Sequence, residues 1–288
     1  TPEGTTFADG ATRTVSFTVT VVEAKVKSLT VKDGSQVTYA FGTEVEALNI
    51  TLVVGYDNTA LPDEEIAATT NGVTITCEDN AVVWNSLVSA SDFINAESVS
   101  KTLKFSYGTK SSEEGASNEV TQFVTITPVP VTSITISAAG GATSVEKVST
   151  LAFTATVEPE NATIQTVTWS IEAGSTGATI DSLTGVLSAA SVTAAGTVKV
   201  KATSSRWNTV VSEETAITIP AWITGISVTT NPTKTEYLKG GTLDTAGMVV
   251  TATYSDSTTA ETTDYTVGTT TLSAADNSVV VTVTSPKD

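Results

Sequence analysis

The sequence predicts an all-β protein, a series of β-sandwiches of about 100 residues each set in an elongated array. Three observations carry that prediction. Apolar residues alternate with Thr and Ser over most of the chain, and the Val, Ile and Thr that fill these runs suit a pleated, half-buried surface. Glycines fall between the runs, at Gly34, Gly108, Gly140, Gly141, Gly185, Gly196, Gly240 and Gly241, where the chain has to turn. A short phrase then opens three segments: Ser28-Leu29-Thr30-Val31, Ser133-Ile134-Thr135-Ile136 and Gly225-Ile226-Ser227-Val228. Their first apolar residues are 134 − 29 = 105 and 226 − 134 = 92 apart, one sandwich length in each case.

Taken in order, residues 1–24 read as the terminal strand of a preceding domain, with Val15, Phe17, Val19 and Val21 alternating. Two readings of that strand stand: exchange onto an open sheet edge of the third domain in a neighbouring copy, or packing against the first domain or extension of a truncated sheet. Residues 25–128 form the first sandwich, with strand cores at Ile50, Leu52 and Val54, at Val73, Ile75 and Cys77, and at Leu103 and Phe105. The stretch from Trp84 through Leu87 to Ile94 reads as a short helical turn or a long loop. Residues 129–220 form the second, through Leu151, Phe153, Ala155 and Val157, then Val167 and Trp169, then Val198, Val200 and Ala202. Residues 221–288 form the third, and only 288 − 226 = 62 residues follow Ile226 against 219 − 134 = 85 between the equivalent marks of the second. A missing last strand is the expectation. The connectors are Ala24-Lys25, Pro128-Val129-Pro130 and Pro220-Ala221-Trp222. Proline in the latter two restricts hinging, and Trp222 reads as a wedge between the second and third sandwiches.

Composition removes whole classes of function. With 31 acidic against 14 basic residues and a formal charge of −17, the surface repels phosphate backbones, so nucleic acid is not an expected partner. No apolar run reaches the roughly 20 residues a bilayer crossing needs, and no membrane insertion is expected within these residues. Thr1 opens no signal peptide, so the sequence reads as mature or excised material with any anchor outside it. The chain contains no histidine, which removes the Ser-His-Asp and Cys-His arrangements and the usual zinc ligand sets. The single cysteine, Cys77, has no partner for an intramolecular disulfide and alternates with Val73 and Ile75, as a small core residue would.

In the middle segment, Leu151, Phe153, Ala155, Val157, Pro159, Asn161-Ala162-Thr163, Val167-Thr168-Trp169-Ser170, Ala178-Thr179-Ile180-Asp181, Gly185-Val186-Leu187 and Gly196 with Val198, Val200 and Ala202 form a pattern over residues 131–219. It resembles the group 2 bacterial immunoglobulin-like domains of surface adhesins. Trp169 is expected across the core, with Gly185 and Gly196 permitting tight turns. The last segment resembles the group 3 bacterial immunoglobulin-like domain through Tyr237, Gly240, Leu243-Asp244, Gly247-Met248, Val250, Ala252, Tyr254 and Asp256. A diluted version recurs in the first domain at a constant offset, as 237 − 39 = 198, 240 − 42 = 198 and 254 − 56 = 198. An insertion around Leu61 to Ile94 sets that first domain apart. The resemblance implies tandem immunoglobulin-like sandwiches, an extracellular location on a bacterial surface or in secretion, and scaffolding or adhesion without a shared catalytic site.

Candidate binding residues follow from exposure and ring chemistry. Trp207 stands between Arg206 and Asn208 in a polar turn, where a ring stacks on sugars or anchors a protein, or packs over the domain edge. Tyr107 is the second ring of this kind. Asp57, Asp63 and Glu64 are loop acids of the type calcium favours, but no dense D-x-D-x-D-G loop occurs, and no cofactor is expected. No pair of carboxylates stands out as an acid and base for glycoside hydrolysis. The reading is a non-enzymatic stalk, spacer or adhesion segment whose partners are host or cell-surface protein or glycan. The alternative is a carbohydrate-binding accessory module of a secreted polysaccharide-degrading system, and more distantly an S-layer or phage-virion element.

Overall fold

The structure is a computed structural model that describes residues 24–77, 80–81, 88–172, 174, 176–268, 271–272 and 281–282. The run from Val15 to Val21, like Trp84, Leu87, Val279 and Val283, lies outside the described residues. Apart from short 3-10 turns such as Ala90–Phe93, where the sequence left a helical turn or a loop open, every described element is a strand. The protein is all-β, as the period-2 runs require.

The chain divides into two units. The first ends at Ser89 and resumes over Ser98–Thr127, and the second takes Ala90–Glu97 together with the chain from Pro128 onward. In the first unit, Thr51–Tyr56 lies between Val26–Val31 and Glu64–Ala67 in one antiparallel sheet. The other sheet runs in the order Thr38–Ala40, Glu119–Thr127, Val99–Tyr107, Val73–Cys77, Asn80–Ala81. Its first pair is parallel and the rest antiparallel.

Alternation becomes burial because side chains leave a strand on opposite faces. Leu29, Leu52, Val54 and Ile66 of the first sheet are buried, as are Cys77, Leu103, Phe105, Val124 and Ile126 of the second. Cys77 is fully enclosed and unbridged.

The second unit holds a complete sandwich. One sheet orders Thr179–Ile180, Val186–Ser188, Thr150–Glu158 and Ser133–Ala138, and the facing sheet orders Val167–Glu172, Gly196–Ser204 and Thr215–Ile219. Their inner faces form one core that includes Phe153, Trp169, Leu187, Val198, Val200 and Ile217. Trp169 is 5 % exposed and tilts against Phe153 with ring centroids 5.9 Å apart, an arrangement favoured by the ring quadrupoles.

Two glycines set this core. Gly185 has φ +71°, and a Cβ there would stand 2.6 Å from Trp169 Cε2, so only glycine allows both the turn and the ring beneath it. That turn is tied by Asp181, whose carboxylate accepts the amides of Thr184 at 2.7 Å and Leu183 at 3.0 Å. Those donors, Thr184 first, hold the Asp181 carboxyl below its ordinary value. Gly196 departs from the tight turn expected of it. It opens the strand Gly196–Ser204, paired with Ile219, and a Cβ would meet Thr176 Cγ2 at 3.0 Å. Close approach of a neighbour explains the glycine.

The remaining residues of the second unit pair Ile223–Thr230 with Val249–Tyr254 and then Thr259–Glu261, and Thr266–Val267 with Val281–Thr282. Val250 and Ala252 are the buried side chains of the central strand.

Candidate functional site

Trp207 sits at the turn that follows Gly196–Ser204, and the turn is closed from within. Ser204 Oγ accepts the Trp207 amide at 3.2 Å, and the Trp207 carbonyl accepts the Val210 amide at 2.8 Å. The indole is half-buried and packs against the core of the complete sandwich. Arg206 stands over the ring, its guanidinium carbon 5.7 Å from the centroid, within cation–π range.

Arg206 is the residue that sequence reasoning passed over. Its side chain is 17 % exposed, and it grips Ala90–Glu97, the segment that the second unit takes from the middle of the first. Nε donates to the Phe93 carbonyl at 2.9 Å, and Nη2 donates to Glu97 Oε1 at 2.9 Å and to the Ala96 carbonyl at 3.5 Å. Phe93 itself is fully buried. The arrangement is a forked clamp, which suits the planar, always-charged guanidinium. Only the order Ser-Arg-Trp-Asn in a polar turn hinted at it; the partner lies more than a hundred residues earlier, outside any local pattern.

In the first unit, Tyr107 is half-buried at the end of Val99–Tyr107, opposite Val73, and its ring edge comes within 3.5 Å of where a Gly72 Cβ would stand. Tyr56 belongs to the same locality, because the Tyr107 hydroxyl contributes to its electrostatics. The Tyr56 hydroxyl donates to Glu64 Oε2 at 2.5 Å. That hydrogen bond, then loss of hydration, then the nearby Glu64 and Tyr107 charges, push the Tyr56 phenol up to about 12.

Because the folded value lies above the ordinary 10, the stability this contact contributes is complete below pH 10 and is lost as pH rises from there through about 12. Spectrophotometric titration at the phenolate band is expected to show a tyrosine ionising near pH 12 that is absent in Tyr56→Phe and shifted down in Glu64→Gln. A titration curve unchanged by Tyr56→Phe would refute the assignment.

The three acids singled out as calcium candidates each make a different contact. Glu64 receives the Tyr56 hydroxyl, Asp57 Oδ1 accepts the Lys25 amide at 3.0 Å, and Asp63 lies beside Gly55 and Ser28. Among the described residues no group of three or more His, Cys, Asp or Glu is arranged to hold a metal ion. No helix among them is long and apolar enough to cross a membrane.

The family-motif residues of the last segment reproduce geometry of the first unit. Tyr39 donates its hydroxyl to the Gln36 carbonyl at 2.8 Å, and Tyr237 donates to the Lys234 carbonyl at 3.0 Å. Gly42 and Gly240 both have φ +83°. The amide one residue later bonds back three residues in each, Thr43 to Ala40 and Gly241 to Leu238. Tyr56 and Tyr254 each end a strand opposite the start of the first strand, Val26 and Ile223, and each pairing is interrupted by a bulge at the next step.

The connector residue is bracketed in the same way twice. The Lys25 carbonyl accepts the Asp57 amide while Asp57 Oδ1 accepts the Lys25 amide; the Trp222 carbonyl accepts the Ser255 amide at 2.8 Å while Ser255 Oγ accepts the Trp222 amide at 3.3 Å.

Residues 130–214 match the family model of the bacterial Ig-like domain (group 2), and residues 230–285 that of the bacterial Ig-like domain (group 3). No curated protein matches the chain. Among solved structures, the chain is similar to a SusE-like surface located polysaccharide binding protein from the heparin utilisation locus of Bacteroides thetaiotaomicron, at 13 % identity and a TM-score of 0.26, over 74 % of this chain and 38 % of that one. The chain thus spans well under half of that protein. It is also similar to mouse cadherin-23 repeats EC22–24, at 14 % identity and a TM-score of 0.28, over 90 % of this chain and 89 % of that one. A third likeness is to the fibronectin(III)-like modules of Clostridium thermocellum CbhA, at 11 % identity and a TM-score of 0.23, over 67 % of this chain and 93 % of that one.

Proposed function

Because the chain belongs to the bacterial immunoglobulin-like domains, of group 2 over residues 130–214 and group 3 over residues 230–285, we propose that it is a non-catalytic stalk, spacer or adhesion segment of a bacterial cell-surface or secreted protein. The observation that carries this reading is the reuse of one structural unit. The first unit and the last segment share the tyrosine-to-carbonyl bond, the glycine turn, the bulged first pairing and the bracketed connector. A unit that repeats the same turn and the same connector bracket within itself lends itself to lengthening by duplication.

The polar side chains that looked available for ligands support the same reading. Arg206 grips the chain itself, Trp207 packs on the core, and the Tyr56–Glu64 pair is closed on itself. Partners of the extracellular kind, a host or cell-surface protein or a glycan, would then meet other domains or the outer strand faces.

A surface-display experiment tests the proposal. An epitope fused to one copy of the chain and to two copies in tandem is expected to become several-fold more accessible to a bulky antibody in the longer fusion. Equal accessibility would remove the spacer reading. A glycan array run in parallel separates the alternative: sugar binding lost on Trp207→Ala would make the chain a carbohydrate-binding accessory module.

A further inference from the structure

Val148 has φ +64° and is 64 % exposed. A β-branched side chain in the left-handed region is a steric outlier, and such strain persists only where surrounding contacts hold it. Here they do. The Val148 amide donates to the Ala189 carbonyl at 3.0 Å, and the Ser149 amide closes the turn on the Glu146 carbonyl at 3.1 Å. Val145, just before the turn, is buried in the core of the complete sandwich and donates its amide to Thr218.

The turn delivers Lys147. Its ammonium stands 4.9 Å from the centroid of the Trp222 ring, inside the distance at which a cation is held by an indole face. Trp222 is half-buried against the sandwich core. Its backbone, however, belongs to the next strands, through the reciprocal bonds with Ser255 described above. One residue thus has its side chain in the packing of one sandwich and its main chain bonded to Ser255, just past the strand Val249–Tyr254 of the following segment. The first unit keeps the same bracket with Lys25 at this position, so the indole is an addition to the shared design.

We propose that Trp222, capped by Lys147 from the strained 146–149 turn, is a latch that couples the strands Ile223–Thr230 and Val249–Tyr254 to the preceding sandwich, so that the two open and close as one cooperative body. The sandwich core packs against the indole, and the Lys147 ammonium stands over the ring. The left-handed backbone at Val148, held by the Ala189 and Glu146 carbonyls, shapes the turn that carries Lys147. The inference goes beyond the spacer reading and stands on packing alone: a failure to couple would leave that reading untouched, and an epitope whose exposure ignores length would leave the latch untouched.

Hydrogen exchange of the full chain in increasing urea tests it. In the native chain, amides of Gly196–Ser204 and of Val249–Tyr254 are expected to lose protection at the same urea concentration. In Trp222→Ala, Val249–Tyr254 is expected to lose protection at clearly lower urea while Gly196–Ser204 moves little. Trp222→Phe, which keeps a ring and the bracket, gives the readout if the alanine variant does not fold, with a smaller separation expected. Lys147→Met is expected to split the two midpoints slightly, and Val148→Gly, which relieves the outlier and keeps the turn, to leave them together. Separate midpoints in the native chain, or coincident midpoints in both Trp222 variants, would overturn the proposal.

Discussion

Replacing Trp169 by alanine is expected to destabilise the second unit by about 4 kcal/mol, the middle of the range for a large buried aromatic. The ring is 5 % exposed, tilts on Phe153, and is covered on one edge by Gly185, so a cavity is left that a β-sandwich core closes poorly. Gly185→Ala attacks the same contact from the other side. It places a methyl group where Trp169 Cε2 already stands, 2.6 Å away, on a backbone with φ +71°, and overpacking plus the left-handed penalty is expected to cost about 3 kcal/mol. The two costs should not add. In a Trp169→Ala background the added methyl enters free space and Gly185→Ala is expected to cost about 1 kcal/mol, the backbone part alone. Urea unfolding of the four proteins, followed by circular dichroism, gives the cycle. Full additivity would mean that the glycine serves only the turn and that the ring above it is incidental. Acid should weaken the same turn: Asp181 is held below its ordinary carboxyl value by the Thr184 and Leu183 amides, so the stability it lends is present above the ordinary pKa and is lost as pH falls through the lowered one.

The two partners of this contact were legible in the sequence one at a time, the ring in the core and the glycine in a turn, but their meeting was not. Trp169 occupies an inward position of a period-2 run, and Gly185 follows Asp181-Ser182-Leu183-Thr184 in a stretch with no apolar alternation, so strand and turn announce themselves locally. The kinship of the first and last segments was legible for the same reason: a constant offset preserves Tyr39 with Tyr237 and Gly42 with Gly240, and the structure gives each pair the same bond or dihedral angle. Trp222 could be suspected as a wedge from its place after Pro220. What the sequence could not disclose is where a long polar side chain goes once the chain has folded. Lys147 over Trp222 and Arg206 on Phe93 depend on loops meeting across strands, and no periodicity encodes that. Gly196 misled for a related reason. Glycine marks a turn or a close approach equally well, and only Thr176, twenty residues earlier in the chain, decides between them.

The turn at Arg206 and Trp207 carries the second large expected effect, and it separates a structural clamp from a ligand platform. Arg206→Ala removes the donor to two backbone carbonyls, of Phe93 and Ala96, and to Glu97. The Glu97 side chain is 92 % exposed, so solvent screening makes the ion pair a minor part. The carbonyl of Phe93 beside a fully buried ring is the greater part, because an acceptor left without its partner retains its desolvation cost. A loss of about 2 kcal/mol is expected, together with faster amide exchange across Ala90–Glu97. Glu97→Gln should change little. Arg206→Lys should recover only a fraction, since an ammonium cannot repeat the fork. Trp207→Ala is expected to destabilise the second unit by about 2 kcal/mol through lost packing on the core and to leave any binding to glycans where it was. The opposite pair of results, unchanged stability with sugar binding abolished, would mean that the ring faces outward to a ligand in solution and that the clamp is not what holds this turn.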